Sequence, residues 1–310
     1  MTWFVTFILV NAATAAFDSK HSINQKGRYT TMLKRILTGI VAFCFILVPV
    51  VFFADTLVLP IAIAIFSMIA TYEILHCVGL HKNIWISLSL YLMSGALPLG
   101  LWYLGTQLVN LLSLLLCIPL LIMLAVAIFS RGQVDIRDVS TAFMLWVYSE
   151  MGFLGLIYIH NLVIGGTYFY LLTLVGAWMT DIFAYFVGVL FGKHKLIPDV
   201  SPKKTIEGAV GGLVFCILGF VGFGLLYNHF WIMEGSTALP IWFMIIMGFF
   251  VSVVSQIGDL SLSLLKRKYG IKDFGKIFPG HGGVLDRCDS VLAVSIILCI
   301  FFSAFALISA

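Results

Sequence analysis

The sequence predicts an all-α protein, a polytopic transmembrane helical bundle of about nine spans. Of its 310 residues, 61% are hydrophobic and only 10% are charged, and its mean hydropathy is +1.09. Apolar runs near the length of about 20 residues that crosses a bilayer recur along the whole chain. The alternation of apolar and polar residues that is typical of a membrane β-barrel is absent. This composition excludes an ordinary soluble globule.

The first 31 residues form an extra N-terminal segment. Residues 1–17 are apolar but form a short run, and no basic residue precedes them. Three interpretations are open: a signal-like stretch, a short additional span, or residues outside the translated protein, with Met32 as the true start. We assign this segment no function.

Nine candidate spans follow the extra segment. They divide into N-terminal transmembrane helices over residues 32–176 and a C-terminal transmembrane region over 177–310 that carries the chemical motifs. Each span is near the length needed to cross about 30 Å of hydrocarbon, and the longer ones would tilt. The spans cover residues 36–54, 57–75, 84–105, 108–129, 141–160, 167–191, 208–227, 240–265 and 288–308.

The basic residues give the predicted orientation. If Lys34 and Arg35 are placed in the cytoplasm, all fifteen Lys and Arg residues after Met32 fall on that side, and the opposite loops contain none. A wrong number of spans would scatter them, so this pattern supports nine spans under the positive-inside rule. We therefore expect a multi-pass protein of a bacterial cytoplasmic membrane, with its polar loops facing the cytoplasm, where nucleotides are found.

Residues 259–290 gather eleven ionisable side chains in an otherwise apolar chain. Acids and bases alternate, so repulsion between like charges does not explain the stretch as a disordered tail. Glycines between them allow a backbone to approach a ligand closely. Cationic side chains bind phosphate oxygens, and carboxylates bind divalent metals. The stretch therefore contains the groups that a nucleoside triphosphate site needs.

Two runs of residues resemble one known family. The first run consists of Ser263-Leu-Leu-Lys266-Arg267, then Lys272-Asp273, then Pro279-Gly-His281-Gly282-Gly283-Val-Leu-Asp286-Arg287-Cys-Asp289. It resembles the signature of the phosphatidate cytidylyltransferases, or CDP-diacylglycerol synthases. Cys288 departs from that signature, in which an aliphatic residue or Thr is usual. The earlier run Ser201-Pro-Lys203-Lys204-Thr205-Ile-Glu207-Gly resembles the same family. The resemblance covers about residues 177–290.

The resemblance implies a membrane-embedded nucleotidyltransferase of phospholipid biosynthesis. Such an enzyme makes CDP-diacylglycerol and pyrophosphate from CTP and phosphatidic acid at the lipid bilayer, with no nucleic acid as partner, and it forms a homodimer. The implied cofactor is Mg²⁺, held by Asp259 and Asp286, and the number of metal ions is left open. The residues expected to act in catalysis are Asp259, Lys266, Arg267, Lys272, Asp273, His281, Asp286, Arg287 and Asp289.

The expected substrate-binding residues come from both motifs and from the sixth span. Asp181 and Tyr185 share a helix face there with Gly188 and Gly192. A carboxylate inside a span needs a partner or a water-filled cavity, so Asp181 is either part of an active-site wall or a structural hydrogen-bonding group. The full set is Asp181, Tyr185, Ser201, Lys203, Lys204, Thr205, Glu207, Gly282 and Gly283.

Several of these residues have a structural interpretation as well. Ser201 or Thr205 could cap the seventh span. The lysines could anchor the chain to lipid headgroups rather than bind phosphate. Asp286 or Asp289 could pair with Arg287, and His281 could be a surface residue. Glu73 and Glu150, which lie in or near other spans, are expected to form hydrogen bonds between helices.

A second class of function is also compatible with the sequence. A polytopic lipid or anion transporter with a phosphate-binding cytoplasmic gate would share the spans and the basic loops. It would show flux across liposomes and no chemical product.

Overall fold

The computed structural model describes residues 53–162, 166–231, 238–277 and 282–309. Within these ranges, eight helices are long and apolar enough to cross a membrane. They correspond in order to the second to ninth predicted spans. The first predicted span lies almost entirely outside the described residues, as does the whole segment 1–31. The helices are α1 (Val58–Cys77), α2 (Ile84–Leu104), α3 (Thr106–Phe129), α4 (Ile136–Leu162), α5 (Leu171–Phe191), α6 (Ile206–Leu226), α7 (Ile241–Lys268) and α8 (Leu285–Ser309).

Short elements connect the helices. A 3₁₀ turn covers Leu80–Lys82, a single helical turn covers Gly166–Phe169, and a π-helical turn covers Tyr227–Trp231. Between α5 and α6 lies an antiparallel hairpin of β1 (Lys195–Ile197) and β2 (Ser201–Thr205), with Lys195 opposite Thr205 and Ile197 opposite Ser201. The prediction of an all-α chain missed this hairpin. Strands of three and five residues are too short to show a period of two.

The helices form two groups that meet along α4 and α8. In the first group α1, α2 and α4 pack together, and α3 lies at the edge against α2 and α4. In the second group α5 packs on α6, α6 on α7, and α7 on α8. Contact between α4 and α8 joins the two groups, so the C-terminal motifs are supported by the N-terminal helices.

Glycine allows α5 and α6 to approach backbone to backbone. A Cβ atom at Gly212 would lie 2.7 Å from the carbonyl oxygen of Thr180, and one at Gly208 would lie 2.5 Å from that of Ala184. Since real Cβ atoms do not come so close, only glycine fits at either position. This contact fixes the part of α5 that carries Asp181.

A buried polar network joins α1, α2 and α4. Ser94 Oγ donates to Glu150 Oε1 at 2.6 Å and accepts the Trp146 Nε1–H at 2.8 Å. Ser67 Oγ, from α1, also donates to Glu150 Oε1. All four side chains are buried. The expected hydrogen bonds between helices at Glu150 are therefore confirmed.

Charge is segregated along the bundle. Every described Lys and Arg lies at or beside the α1–α2, α3–α4, α5–α6 or α7–α8 connection, and the described parts of the other connections contain none. These four connections lie at the same end of the bundle, which we call the basic end. The alternation that the sequence predicted is therefore present in the fold.

We expect Gly212→Val to destabilise the protein, because its side chain would collide with the backbone of Thr180. Overpacking of this kind costs about 1–3 kcal/mol, which thermal unfolding of the purified protein in detergent would detect. Gly222→Val is the matched control on the same helix, because a Cβ atom there meets nothing within 4 Å. Equal melting temperatures for the two variants would contradict the close contact.

Candidate active site

Three carboxylates from three helices lie near one another between the bundle centre and the basic end. Asp181 on α5, Asp259 on α7 and Asp289 on α8 interact electrostatically, and we call them the acidic cluster. Ser290 Oγ donates to Asp181 Oδ2 at 3.0 Å. Asp181 is exposed although it lies midway along α5. Because a carboxylate facing lipid is costly, we interpret this exposure as access to a water-filled cleft.

The β-hairpin docks a lysine onto the acidic cluster. Lys204, in β2, forms an ion pair with Asp259, with 2.5 Å between Nζ and Oδ2, and the two side chains are 27% and 24% exposed. Ser263 Oγ lies 3.4 Å from the other oxygen of Asp259. Lys204 also interacts electrostatically with Asp181. Lys266 in turn interacts electrostatically with Asp289. Two lysines thus face a site that carries three carboxylates, so the acidic side chains outnumber the basic ones.

Asp286 has a different set of partners. Its Oδ1 accepts a hydrogen bond from Lys266 Nζ at 2.9 Å, and its Oδ2 accepts the backbone N–H groups of Phe274 at 2.8 Å and Gly283 at 3.0 Å. The Asp286 side chain is only 3% exposed. The alternative expectation that Asp286 pairs with Arg287 is not what the described contacts show. Asp286 instead ties the α7–α8 loop to the last turn of α7.

The acidic cluster is the part of the site whose donors suit a divalent cation. As they stand, no three His, Cys, Asp or Glu side chains of the described residues converge closely enough to hold a metal ion. The cluster nevertheless offers hard carboxylate oxygens and an excess of negative charge in a position open to water, which suits Mg²⁺. Asp286 suits an ion less well, because both of its oxygens are hydrogen-bonded and its side chain is only 3% exposed, whereas the Asp259 side chain is 24% exposed. The predicted metal pair, Asp259 and Asp286, is therefore divided between two sets of contacts.

The remaining predicted loop residues belong to the hairpin and to the α7–α8 connection, the two segments that also carry Lys204 and Lys266. Lys266 is buried against Asp286, whereas most of the other charged side chains are exposed at the basic end, where they are accessible to a soluble anion. The exposed set is Lys203, Arg267, Lys272, Asp273 and Arg287. His281 lies outside the described residues.

The base of the hairpin has structural roles of its own. Thr205 Oγ1 accepts the Gly208 N–H at 3.2 Å, so Thr205 caps α6. Glu207 does not complete a capping box. Its carboxylate accepts the His194 N–H at 3.2 Å and lies 2.6 Å from His194 Nδ1. Ser201 begins β2, and Tyr185 is exposed on α5. A role of these residues in substrate binding remains a prediction.

The two glycines of the Gly-Gly pair shape the entry to α8. Gly282 has φ of +86°, a conformation that favours glycine, and a Cβ atom there would lie 2.9 Å from Asp286 Oδ2. Gly283 donates its N–H to Asp286. Both glycines therefore bring the backbone close to the carboxylate, and contact with a substrate remains a prediction for them.

Sequence reasoning assigned no site role to two residues that contact this region. Ser290 binds Asp181, as described above. Glu73, on α1, accepts the N–H groups of Val284 and Leu285 at 2.9 Å each. A carboxylate inside an apolar span signals that a partner exists. The partner itself lies more than 200 residues away and has no local sequence signal.

Comparison with known proteins supports the family resemblance over most of the chain. Residues 33–305 match the cytidylyltransferase family. The chain is 32% identical over 273 residues to the phosphatidate cytidylyltransferase of Staphylococcus haemolyticus, and the aligned region covers 85% of this chain and 96% of that relative. It is 34% identical over 274 residues to the phosphatidate cytidylyltransferase of Bacillus subtilis, and the aligned region covers 85% of this chain and 94% of that relative. The match extends well beyond the motifs and includes the N-terminal helices.

We expect Asp286→Ala to destabilise the protein by about 3 kcal/mol, because it leaves the buried ammonium of Lys266 without its partner. Adding Lys266→Met should recover part of this loss, since the uncompensated charge is then removed. Thermal unfolding in detergent would measure both effects. Asp273→Ala is the exposed control and should stay within about 0.5 kcal/mol of the original protein. Strictly additive effects of the two substitutions would contradict the pair.

Proposed function

The chain belongs to the cytidylyltransferase family, and from this membership and its acidic cluster we propose that it transfers a cytidylyl group from CTP to phosphatidic acid. The products would be CDP-diacylglycerol and pyrophosphate, which places the reaction in phospholipid biosynthesis. The observation that carries the proposal is the acidic cluster with Lys204 bound to Asp259 at the basic end. Relatives named phosphatidate cytidylyltransferase support the choice of substrates.

In this reaction one anion attacks another. An oxygen of the lipid phosphate would form a bond to the α-phosphorus of CTP. The bond from that phosphorus to the oxygen bridging it to the β-phosphorus would break, and pyrophosphate would leave with the electron pair. A phosphate monoester is largely doubly ionised at neutral pH, so no strong general base is required. The barrier is electrostatic, and catalysis would depend on cations and on positioning.

The side chains around the cluster suit that demand. Lys204 contacts the cluster from the hairpin, and Lys203 precedes it in β2, while Arg267, Lys272 and Arg287 belong to the α7–α8 connection. Triphosphate oxygens placed between these two segments would meet cations from both. Asp259 and Asp286 hold Lys204 and Lys266, and so fix the positions of two of the positive charges.

We propose that the acidic cluster holds the Mg²⁺ ion that the family resemblance implies. When bound, the ion would neutralise charge on the phosphates of CTP. Asp259 and Asp289 would be its principal ligands, with Asp181 beside them, and Asp286 would hold Lys266 and the loop. This assignment keeps Asp259 from the predicted pair and replaces Asp286 by its neighbour one helical turn further along α8.

The position of the site in the membrane suits a lipid substrate. Phosphatidic acid keeps its acyl chains in the bilayer, while CTP arrives from water. The acidic cluster lies between the bundle centre and the basic end, and the side chain of Asp181 is exposed, so both substrates could reach it. We propose that the basic end faces the cytoplasm, in agreement with the positive-inside rule. Formation of a homodimer is expected from the resemblance alone.

We expect the purified protein to convert labelled CTP and phosphatidic acid to CDP-lipid and pyrophosphate, with Mg²⁺ required and EDTA inhibitory. Asp259→Asn and Asp289→Asn should each lower kcat by about 10²–10³-fold, the typical loss when an electrostatic contact to the transition state is removed. Asp286→Asn should also lower activity, through Lys266 and the loop.

Asp135→Asn is the control for this assay, because Asp135 is an exposed acid of the α3–α4 connection at the same end of the bundle. It should leave kcat unchanged. Flux of anion or lipid across liposomes, with no product from the unsubstituted protein, would reject the enzyme in favour of a transporter.

We expect a membrane-impermeant maleimide to distinguish the two ends of the bundle in a background without native cysteines. Lys195→Cys in the hairpin should react only in inside-out vesicles, because the basic end faces the cytoplasm. Thr106→Cys, exposed at the α2–α3 connection, should react in intact cells. The opposite labelling pattern would reverse the proposed orientation.

A further inference from the structure

Glu73 joins the N-terminal group of helices to the first turn of α8. It lies near the end of α1 and is fully buried. Its Oε1 accepts the Val284 N–H and its Oε2 accepts the Leu285 N–H, each at 2.9 Å. The first N–H groups of a helix have no partner within the helix, and a negative charge is favourable there. Glu73 therefore meets both needs of α8 from a helix more than 200 residues away in sequence.

Two glycines of the α7–α8 loop are fitted closely around this carboxylate. A Cβ atom at Gly283 would lie 2.1 Å from Glu73 Oε1, and one at Gly275 would lie 2.2 Å from the same atom. Any side chain at either position would displace the carboxylate. The loop backbone thus closes over Glu73 at two points that are separated by seven residues in the chain.

The same two points of the loop also bind Asp286. Phe274, next to Gly275, donates its N–H to Asp286 Oδ2, and Gly283 donates to the same oxygen. Glu73 and Asp286 therefore hold the same pair of loop segments, one from α1 and one from α8. Displacement of Glu73 would leave both segments held by Asp286 alone, and it would leave the first N–H groups of α8 without this acceptor.

We propose that Glu73 is a positioning residue for the candidate active site, which it serves by fixing the start of α8 and so the placement of Asp286 and Asp289. The inference rests on the proposed function of that site. Among the described contacts, Glu73 touches the α7–α8 loop and the start of α8 but none of the three carboxylates of the acidic cluster. It therefore acts on the cluster through other residues. It also gives the N-terminal helices a direct part in building the site.

The test compares Glu73→Gln with Glu150→Gln. Both replace a fully buried glutamate in the first group of helices, but Glu150 binds only side chains of that group, Ser67 and Ser94, among its described contacts. In Glu73→Gln the amide retains one acceptor oxygen and turns an NH₂ group towards the second backbone N–H. We expect a fall in kcat of about 10²-fold, as for a misplaced catalytic group, with little change in KM for CTP. Glu150→Gln should lower stability without this fall.

Hydrogen–deuterium exchange provides a readout that does not depend on activity. Peptides that cover residues 271–277 and 282–292 should exchange faster in Glu73→Gln and unchanged in Glu150→Gln. Unchanged exchange and kcat in Glu73→Gln would overturn the inference. The inference would also be overturned if Glu73→Gln and Glu150→Gln lowered the melting temperature equally and Glu73→Gln lowered kcat no more than Glu150→Gln did.

A second pair of variants tests the contact itself. Gly283→Ala should raise exchange and lower kcat, because its methyl group would displace Glu73. Glu73→Asp, one methylene shorter, should make room for that methyl group, so that the double variant is more active than Gly283→Ala alone. Gly222→Ala, which meets nothing within 4 Å, is the neutral control. Additive losses in the double variant would contradict the contact.

The two proposals fail in different ways. If the unsubstituted protein forms no CDP-lipid, the proposed function is rejected, and exchange still reports whether Glu73 fixes the loop. If the unsubstituted protein is active and Glu73→Gln matches it in kcat and exchange, only the positioning inference is rejected.

Discussion

A charge inside an apolar bundle is stable only beside an opposite charge or a hydrogen-bond donor, and this constraint organises the basic end of the molecule. Lys204 binds Asp259, Lys266 binds Asp286, and Glu73 binds the first N–H groups of α8. Each contact joins segments that are distant in sequence: a hairpin to α7, α7 to α8, and α1 to α8. Because a buried partner left alone is costly, these contacts select one arrangement of the loops.

The first turn of α8 is where most of these contacts meet. Glu73 binds the backbone at its start, Asp286 holds the loop that precedes it, and Asp289 faces α5 and α7. Asp286 and Asp289 are three residues apart and thus on neighbouring positions of one helix face, yet they have different partners. The loop-facing carboxylate has filled its hydrogen bonds, and the cluster-facing one remains near two other acids. This division separates the group that builds the site from the groups that could bind an ion.

The lengths of the hydrophobic runs and the charges of the loops were sufficient to predict the spans and their alternation, because both can be read directly from the local sequence. The eight described helices follow the predicted order, and the motif residues around Asp259 and Asp289 lie together. The hairpin of Lys195–Ile197 and Ser201–Thr205 was missed because its strands, of three and five residues, are too short to show an alternation of apolar and polar side chains. The partner of Asp286 was also missed: the sequence suggested a metal ion or, as the alternative, the adjacent Arg287, whereas the described contact is to Lys266, which packing across two helices brings close. Pairings of this kind depend on the fold, and a single sequence carries no signal for them.

The N-terminal helices are part of the site's construction rather than a separate membrane anchor. Besides Glu73 on α1, two tyrosine contacts cross between the groups: Tyr148 on α4 donates to the carbonyl oxygen of Asp289 at 3.1 Å, and Tyr269 after α7 donates to Asp138 on α4 at 3.2 Å. Tyr148 reaches the helix turn that carries a carboxylate of the acidic cluster, and Tyr269 holds the start of the α7–α8 loop. The family match over residues 33–305 covers both of the helix groups that hold the site.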